Sequence, residues 1–117
     1  MIENLGVGID MVDVNRFRNM PYEEKTSFYK DIFDKNEIDY CLKFSDPYPH
    51  FAGKFAIKEA LIKSIDTKEN LSKIITDHHN KKPIVSICGK NDYEFSVSIS
   101  HEKNYAIGMV ISKKIIA

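Results

Sequence analysis

The sequence predicts a single α+β domain: an N-terminal strand, several helices, then a mostly antiparallel sheet packed on a central helix. Three observations predict it. Near the N-terminus Leu5, Val7, Ile9 and Met11 alternate with Gly6, Gly8 and Asp10, the period of a strand. The middle of the chain changes to helical spacing, and the last third returns to period two. A strand, several helices and then a group of strands is an α+β order. With 117 residues the chain fits one domain, so residues 1–117 are assigned to it as a whole.

The first strand is expected over 5–12, and its two glycines imply close approach by another backbone or a ligand. Val14 and Phe17 then sit three apart on a helix, with Arg16 and Arg18 on other faces. Pro21 suits the first turn of a further helix, with Glu23 and Glu24 near its positive end and Phe28, Ile32 and Phe33 on its apolar face. Asp34 with Glu37 fits a capping box, opening a helix that runs to about Phe44. Ser45-Asp46-Pro47-Tyr48-Pro49 is a break, and the longest helix follows over 50–65. Strands at 74–77 and 84–87 flank a polar turn at 78–83. Strands at 94–100 and 105–112 form a hairpin, in which Phe95, Val97 and Ile99 alternate with serines. His78 and His79 read as turn residues, because adjacent histidines lack the i,i+4 geometry of a helical metal site.

Composition narrows the function. Hydrophobic residues make up 43% and charged residues 29%, as in soluble globular chains. Lys+Arg and Asp+Glu both total 17, which argues against a nucleic-acid binder but leaves room for a local basic patch facing an acidic protein. No apolar run approaches the ~20 residues that cross a bilayer, so no membrane partner is expected. The first residues do not read as a secretory signal. Cys41 and Cys88 stand apart and outside any CxxC pair, as reduced thiols would. A cytoplasmic location is expected.

Chemistry concentrates on the 50–65 helix. At about 100° per residue, Phe51, Ala52, Phe55, Ala56, Ala60 and Ile62 cover one broad face. Glu59 and Lys63 fall inside that arc, and Lys54 and Lys58 lie toward its edge. A carboxylate in an apolar stripe is costly unless paired or bound to a cation. An i,i+4 pair between Glu59 and Lys63 is the simple alternative. Asp10 interrupts the first strand; it is either an outward-facing residue or, met by Glu59, half of a carboxylate pair of the kind that holds magnesium.

These residues lie in three motifs that resemble a known family. Gly8-Ile9-Asp10-Met11-Val12-Asp13-Val14-Asn15-Arg16-Phe17, then Phe51-Ala52-Gly53-Lys54-Phe55-Ala56-Ile57-Lys58-Glu59-Ala60-Leu61-Ile62-Lys63, then Ser98-Ile99-Ser100-His101-Glu102-Lys103-Asn104-Tyr105-Ala106 are similar to motifs of the holo-acyl-carrier-protein synthases. Their order and spacing match those of this short type of 4′-phosphopantetheinyl transferase. The resemblance implies a transferase that moves 4′-phosphopantetheine from coenzyme A to a serine of an acyl carrier protein, with release of 3′,5′-ADP. It implies Mg²⁺ on Asp10 and Glu59, and catalytic roles for Asp10, Glu59 and Lys63. Lys54, Lys63, Ser100 and His101 would contact coenzyme A, and Arg16 the carrier protein, in a homotrimer with active sites at subunit boundaries. The proton acceptor for the serine hydroxyl is Glu59 or a metal-bound water.

The chain departs from the family pattern at Lys54, where arginine is usual, at Asp66-Thr67-Lys68 in place of a Gly-Thr-Gly turn, and at Lys81 before Lys82-Pro83. Glycines at 66 and 68 would let backbone amides approach a phosphate, whereas Asp66 adds negative charge. Those positions favour the alternative, a non-catalytic relative that binds carrier protein or coenzyme A. Without the motifs, His101 reads as a surface turn residue, Arg16 as a solvated helix residue, and the chain as a plain α+β interaction domain.

Overall fold

The computed structural model describes residues 2–115. In chain order these form strand β1 (Leu5–Asp13), helices α1 (Asn15–Arg18), α2 (Thr26–Ile32), α3 (Lys35–Leu42) and α4 (Tyr48–Ser64), and strands β2 (Ile74–His79), β3 (Lys82–Ile87), β4 (Tyr93–His101) and β5 (Tyr105–Lys114). Short 3₁₀ turns occur at Tyr22–Glu24 and Leu71–Lys73. The strands make two antiparallel sheets, one ordered β1-β5-β4 and the other the β2-β3 pair. The expected α+β class is observed, and α4 lies against the three-stranded sheet.

Small residues permit that contact. A Cβ on Gly8 would stand 1.8 Å from the carbonyl oxygen of Ala60, and one on Gly108 would stand 2.7 Å from the carbonyl carbon of Ala56. The strand glycines and helix alanines thus bring two backbones together, as the glycine-rich first strand implies. Away from this sheet α4 is covered by an aromatic cluster. Tyr29 packs on Phe51 at 4.7 Å between ring centroids, and Phe17 meets Phe55 at 5.5 Å. The Tyr29 hydroxyl donates to the Met20 carbonyl at 2.8 Å, so its polar end is satisfied. Ile57, Leu61, Ile74, Ile87 and Val110 form a second core toward the β2-β3 pair.

This double coverage corrects the amphipathic reading of the central helix. Lys54 and Lys58, expected at the edge of the apolar arc, are buried. Glu59 is only partly buried and Lys63 is exposed. A helix enclosed on several sides has no single apolar stripe, and its one open edge carries Glu59 and Lys63.

The capping box is formed as expected: Glu37 N–H donates to Asp34 Oδ1 at 2.8 Å, and Asp34 N–H donates to Glu37 Oε1 at 2.9 Å. The stretch after Pro21 is divided, because Lys25 (φ −133°) leaves helical geometry between the 3₁₀ turn and α2. His78 and His79 are strand residues, paired with Pro83 and Lys82. Asn80 (φ 51°) and Lys81 (φ 67°) both take left-handed conformations and close the hairpin in two residues, as a type I′ turn does. The six-residue turn expected at 78–83 is therefore a two-residue turn.

The thiols do not pair: Cys41 is buried, with its pKa pushed up to about 12 by burial, and Cys88 is exposed. No helix among the described residues is long and apolar enough to cross a membrane. The sheet face turned away from α4 is apolar and open. Val7, Ile9 and Met11 on β1 and Tyr105, Ile107, Met109 and Ile111 on β5 are 37–66% exposed.

Candidate active site on the open edge of the central helix

Because β1 crosses α4 at Gly8, Asp10, two residues on and facing the same way, stands at the helix edge. Its Oδ1 accepts a hydrogen bond from Lys63 Nζ at 3.0 Å, and the same ammonium donates to the Ile9 carbonyl at 3.0 Å. The Lys63 side chain is 52% exposed and that of Asp10 18%. Glu59 lies one turn before Lys63 on the same side of α4. It makes no ion pair among the described residues, so the simple Glu59–Lys63 pair is not formed.

Two carboxylates and a backbone carbonyl are hard oxygen donors, and an ammonium already sits against one of them. The residues present therefore fit a hard divalent cation such as magnesium. Among the described residues no three His, Cys, Asp or Glu side chains are placed to hold a metal ion between them, so such an ion would draw further ligands from water or substrate phosphates.

A second polar group is buried on the other side of the same helix. The Lys58 ammonium donates to Glu37 Oε1 at 2.8 Å and to the Ile32 carbonyl at 2.7 Å. Burial pushes Lys58 below the ordinary lysine range, and the adjacent Glu37 carboxylate opposes that shift. The other Glu37 oxygen accepts from the Thr76 hydroxyl and from Thr76 N–H. Lys54 Nζ, also buried, donates to Thr76 Oγ1 at 3.0 Å. Because the single Thr76 proton goes to an acceptor-only carboxylate, its oxygen is left to receive Lys54.

Lys54 also lines a cavity with Tyr40, His50, His78, Ile99 and His101. Its ammonium lies 4.7 Å from the Tyr40 ring centroid, His78 stacks on Tyr40 at 4.7 Å, and His50 meets His101 at 5.1 Å. Burial, reinforced by His101, pushes His50 below the ordinary histidine range; burial and Lys54 do the same to His78. The cavity offers cationic and aromatic groups to a flat anionic ligand.

Of the residues singled out in the sequence, Asp10, Glu59 and Lys63 share the open edge of α4, and Lys54 and His101 share the cavity. Ser100 lines a neighbouring surface depression with Met11, Tyr105 and Ile107, and His101 borders both that depression and the cavity. Arg16 is separate again: exposed on α1, with its guanidinium 5.2 Å from the Phe55 ring centroid. Tyr40, His50 and Thr76 were not anticipated. Glu37 was read only as a cap, because its second oxygen acts on a strand distant in sequence.

The 4′-phosphopantetheinyl transferase superfamily model matches residues 6–110. The chain is 40% identical over 114 residues to a holo-[acyl-carrier-protein] synthase of Thermodesulfovibrio yellowstonii, covering 95% of this chain and 98% of the relative. It is 34% identical to a holo-[acyl-carrier-protein] synthase of Leptospira biflexa, with 92% and 94% covered. Among solved structures it matches a Bacillus anthracis holo-(acyl-carrier-protein) synthase in complex with CoA (3′,5′-ADP), with a TM-score of 0.81, 26% identity, and 94% and 96% coverage. A Helicobacter pylori holo-[acyl-carrier-protein] synthase in complex with coenzyme A matches with a TM-score of 0.78, 26% identity, and 92% and 99% coverage. The chain belongs to the 4′-phosphopantetheinyl transferase superfamily. Within it, these relatives are the small holo-acyl-carrier-protein synthases, as the three sequence motifs imply.

Proposed function

We propose that this protein transfers 4′-phosphopantetheine from coenzyme A to a serine of an apo acyl carrier protein, giving holo carrier protein and 3′,5′-ADP. The observation that carries the reading is the Asp10, Glu59 and Lys63 edge of α4, in a chain 40% identical to a holo-[acyl-carrier-protein] synthase over nearly its whole length. Attack by a serine hydroxyl on the β-phosphate breaks the bond to the 3′,5′-ADP leaving group and builds charge on phosphate oxygens. Lys63, half exposed at that edge, is the cation that meets that charge. Glu59, which makes no ion pair among the described residues, accepts the serine proton directly or through a water. Lys54 and His101 hold the nucleotide end from the cavity, and Ser100 contacts coenzyme A from a neighbouring surface. Arg16 meets acidic side chains of the carrier protein.

Asp10 and Glu59 would hold a magnesium ion, which when bound neutralises charge on the transferring and leaving phosphates. The open apolar face of β1 and β5 supports assembly into a homotrimer, since a monomer gains nothing by exposing seven large apolar side chains on one sheet face. Activity in the cytoplasm, where coenzyme A and carrier protein meet, completes the reading.

The test is mass spectrometry of apo carrier protein after incubation with this protein, coenzyme A and magnesium. A gain of one phosphopantetheine, lost with chelator and lost with Asp10→Ala, is expected. No gain from folded protein with a competent carrier would replace this reading with the non-catalytic binding relative, which Asp66 and Lys68 in their exposed loop favour.

A further inference from the structure

We propose that Lys63 is a tethered cation that holds the Asp10 position until phosphate draws it away, so that divalent cation and coenzyme A bind in a coupled manner. The proposal rests on the reading of Asp10 and Glu59 as cation ligands. Its basis is the pair of hydrogen bonds at 3.0 Å that place the Lys63 ammonium between Asp10 Oδ1 and the Ile9 carbonyl. An ammonium and a divalent cation that share Oδ1 repel each other, because their like charges would stand a few ångströms apart. Lys63 therefore competes intramolecularly with any ion that approaches Asp10, at an effective concentration set by its short tether.

The competition is reversible because of where Lys63 sits. Its side chain is half exposed and leaves α4 near its last turn, so it swings without disturbing the core. An exposed lysine–carboxylate pair is weak, and a diphosphate offers the same ammonium stronger charge-assisted acceptors. Anionic ligand thus vacates Asp10 for the ion. By linkage, the ion, in displacing Lys63, frees it for the phosphates, and each ligand strengthens the other. Lys63 is here a positioning residue for the cation, a role distinct from its direct contact with substrate.

The measurement is Mn²⁺ affinity, read from the paramagnetic signal of the free ion, first without coenzyme A and then with it, and with no carrier protein and so no turnover. Lys63→Met is expected to bind Mn²⁺ roughly two- to fivefold more tightly than the unaltered protein, the size expected for removing one competing exposed charge pair. Lys63→Gln, which removes the charge but keeps a hydrogen-bond donor, is expected to move in the same direction. Coenzyme A is expected to tighten Mn²⁺ binding by a larger factor in the unaltered protein than in either variant. Equal or weaker Mn²⁺ binding by both variants overturns the exchange. Asp10→Asn separates the two levels. If it weakens Mn²⁺ binding while the Lys63 variants change nothing, only the exchange fails. If it leaves Mn²⁺ binding untouched, the exchange and the cation reading of Asp10 fail together.

Discussion

Lys58 and Glu59 are neighbours in sequence and meet opposite fates. One helical step turns Lys58 into the core, where it pairs with Glu37 among Phe33, Ile32 and the Leu71 carbonyl. The next residue emerges on the open edge beside Lys63, across from Asp10. The buried group satisfies itself entirely within the protein: Lys58, Glu37, Thr76 and Lys54 form one chain of donors and acceptors. At the edge the Glu59 carboxylate makes no ion pair among the described residues, and the lysine is held by exchangeable contacts. Charges of the same types are thus internally paired in one place and left open to a ligand in the other.

The largest expected effect is in the buried group. Lys58→Met removes the ammonium and leaves the Glu37 carboxylate buried without its counter-charge, at a cost of about 3–5 kcal/mol. Denaturant unfolding should show a lower midpoint; a loss under 1 kcal/mol would mean that Thr76 and the helix cap suffice for Glu37. At the edge the pattern inverts. Glu59→Gln should leave stability within about 0.5 kcal/mol, because the side chain is partly exposed and makes no ion pair among the described residues. Phosphopantetheine transfer should nevertheless fall by roughly 10²-fold or more, the range for removing one catalytic proton acceptor or electrostatic group. A stable Glu59→Gln variant with unaltered transfer would make the edge ordinary surface.

How much of this was legible depends on how local each signal is. The alternation of β1, β4 and β5 and the Asp34–Glu37 capping box are set within a few residues, and they form as the sequence implies. The Asn80–Lys81 turn lacks the glycine that usually marks two successive left-handed residues, so its two-residue form could not be read. The burial of Lys54 and Lys58 depends on what covers α4 from several sides, information that helical periodicity does not hold. Asp10, Glu59 and Lys63 were singled out by motif order rather than by periodicity, and that Lys63 reaches Asp10 across 53 residues is information only the fold holds. The second role of Glu37 was hidden because Lys58 lies 21 residues away and Thr76 lies 39.

The smallest expected effect concerns the rim of the buried group, where His50 and His78 line the cavity with Lys54. Both are held below the ordinary histidine range, chiefly by burial. His101, Lys54 and His78 also act against His50⁺, with Asp46 opposing; Lys54 acts against His78⁺, with Asp77 opposing. As pH falls through about 6.5 the unfolded chain takes up protons at these positions before the folded chain does. Stability is therefore full above that value and declines below it, levelling once the folded histidines also protonate. Between pH 7.5 and 5.5 this contribution should appear as a small fall in melting temperature. His50→Phe keeps an aromatic ring against Phe44, which stacks on His50 at 3.6 Å, and should flatten this part of the pH dependence. Glu59→Gln and Lys63→Met should leave it in place. If the edge variants flatten the profile and His50→Phe does not, the acid-sensitive element lies on the open side of α4, and the division between an internally satisfied interior and a responsive edge would have to be redrawn.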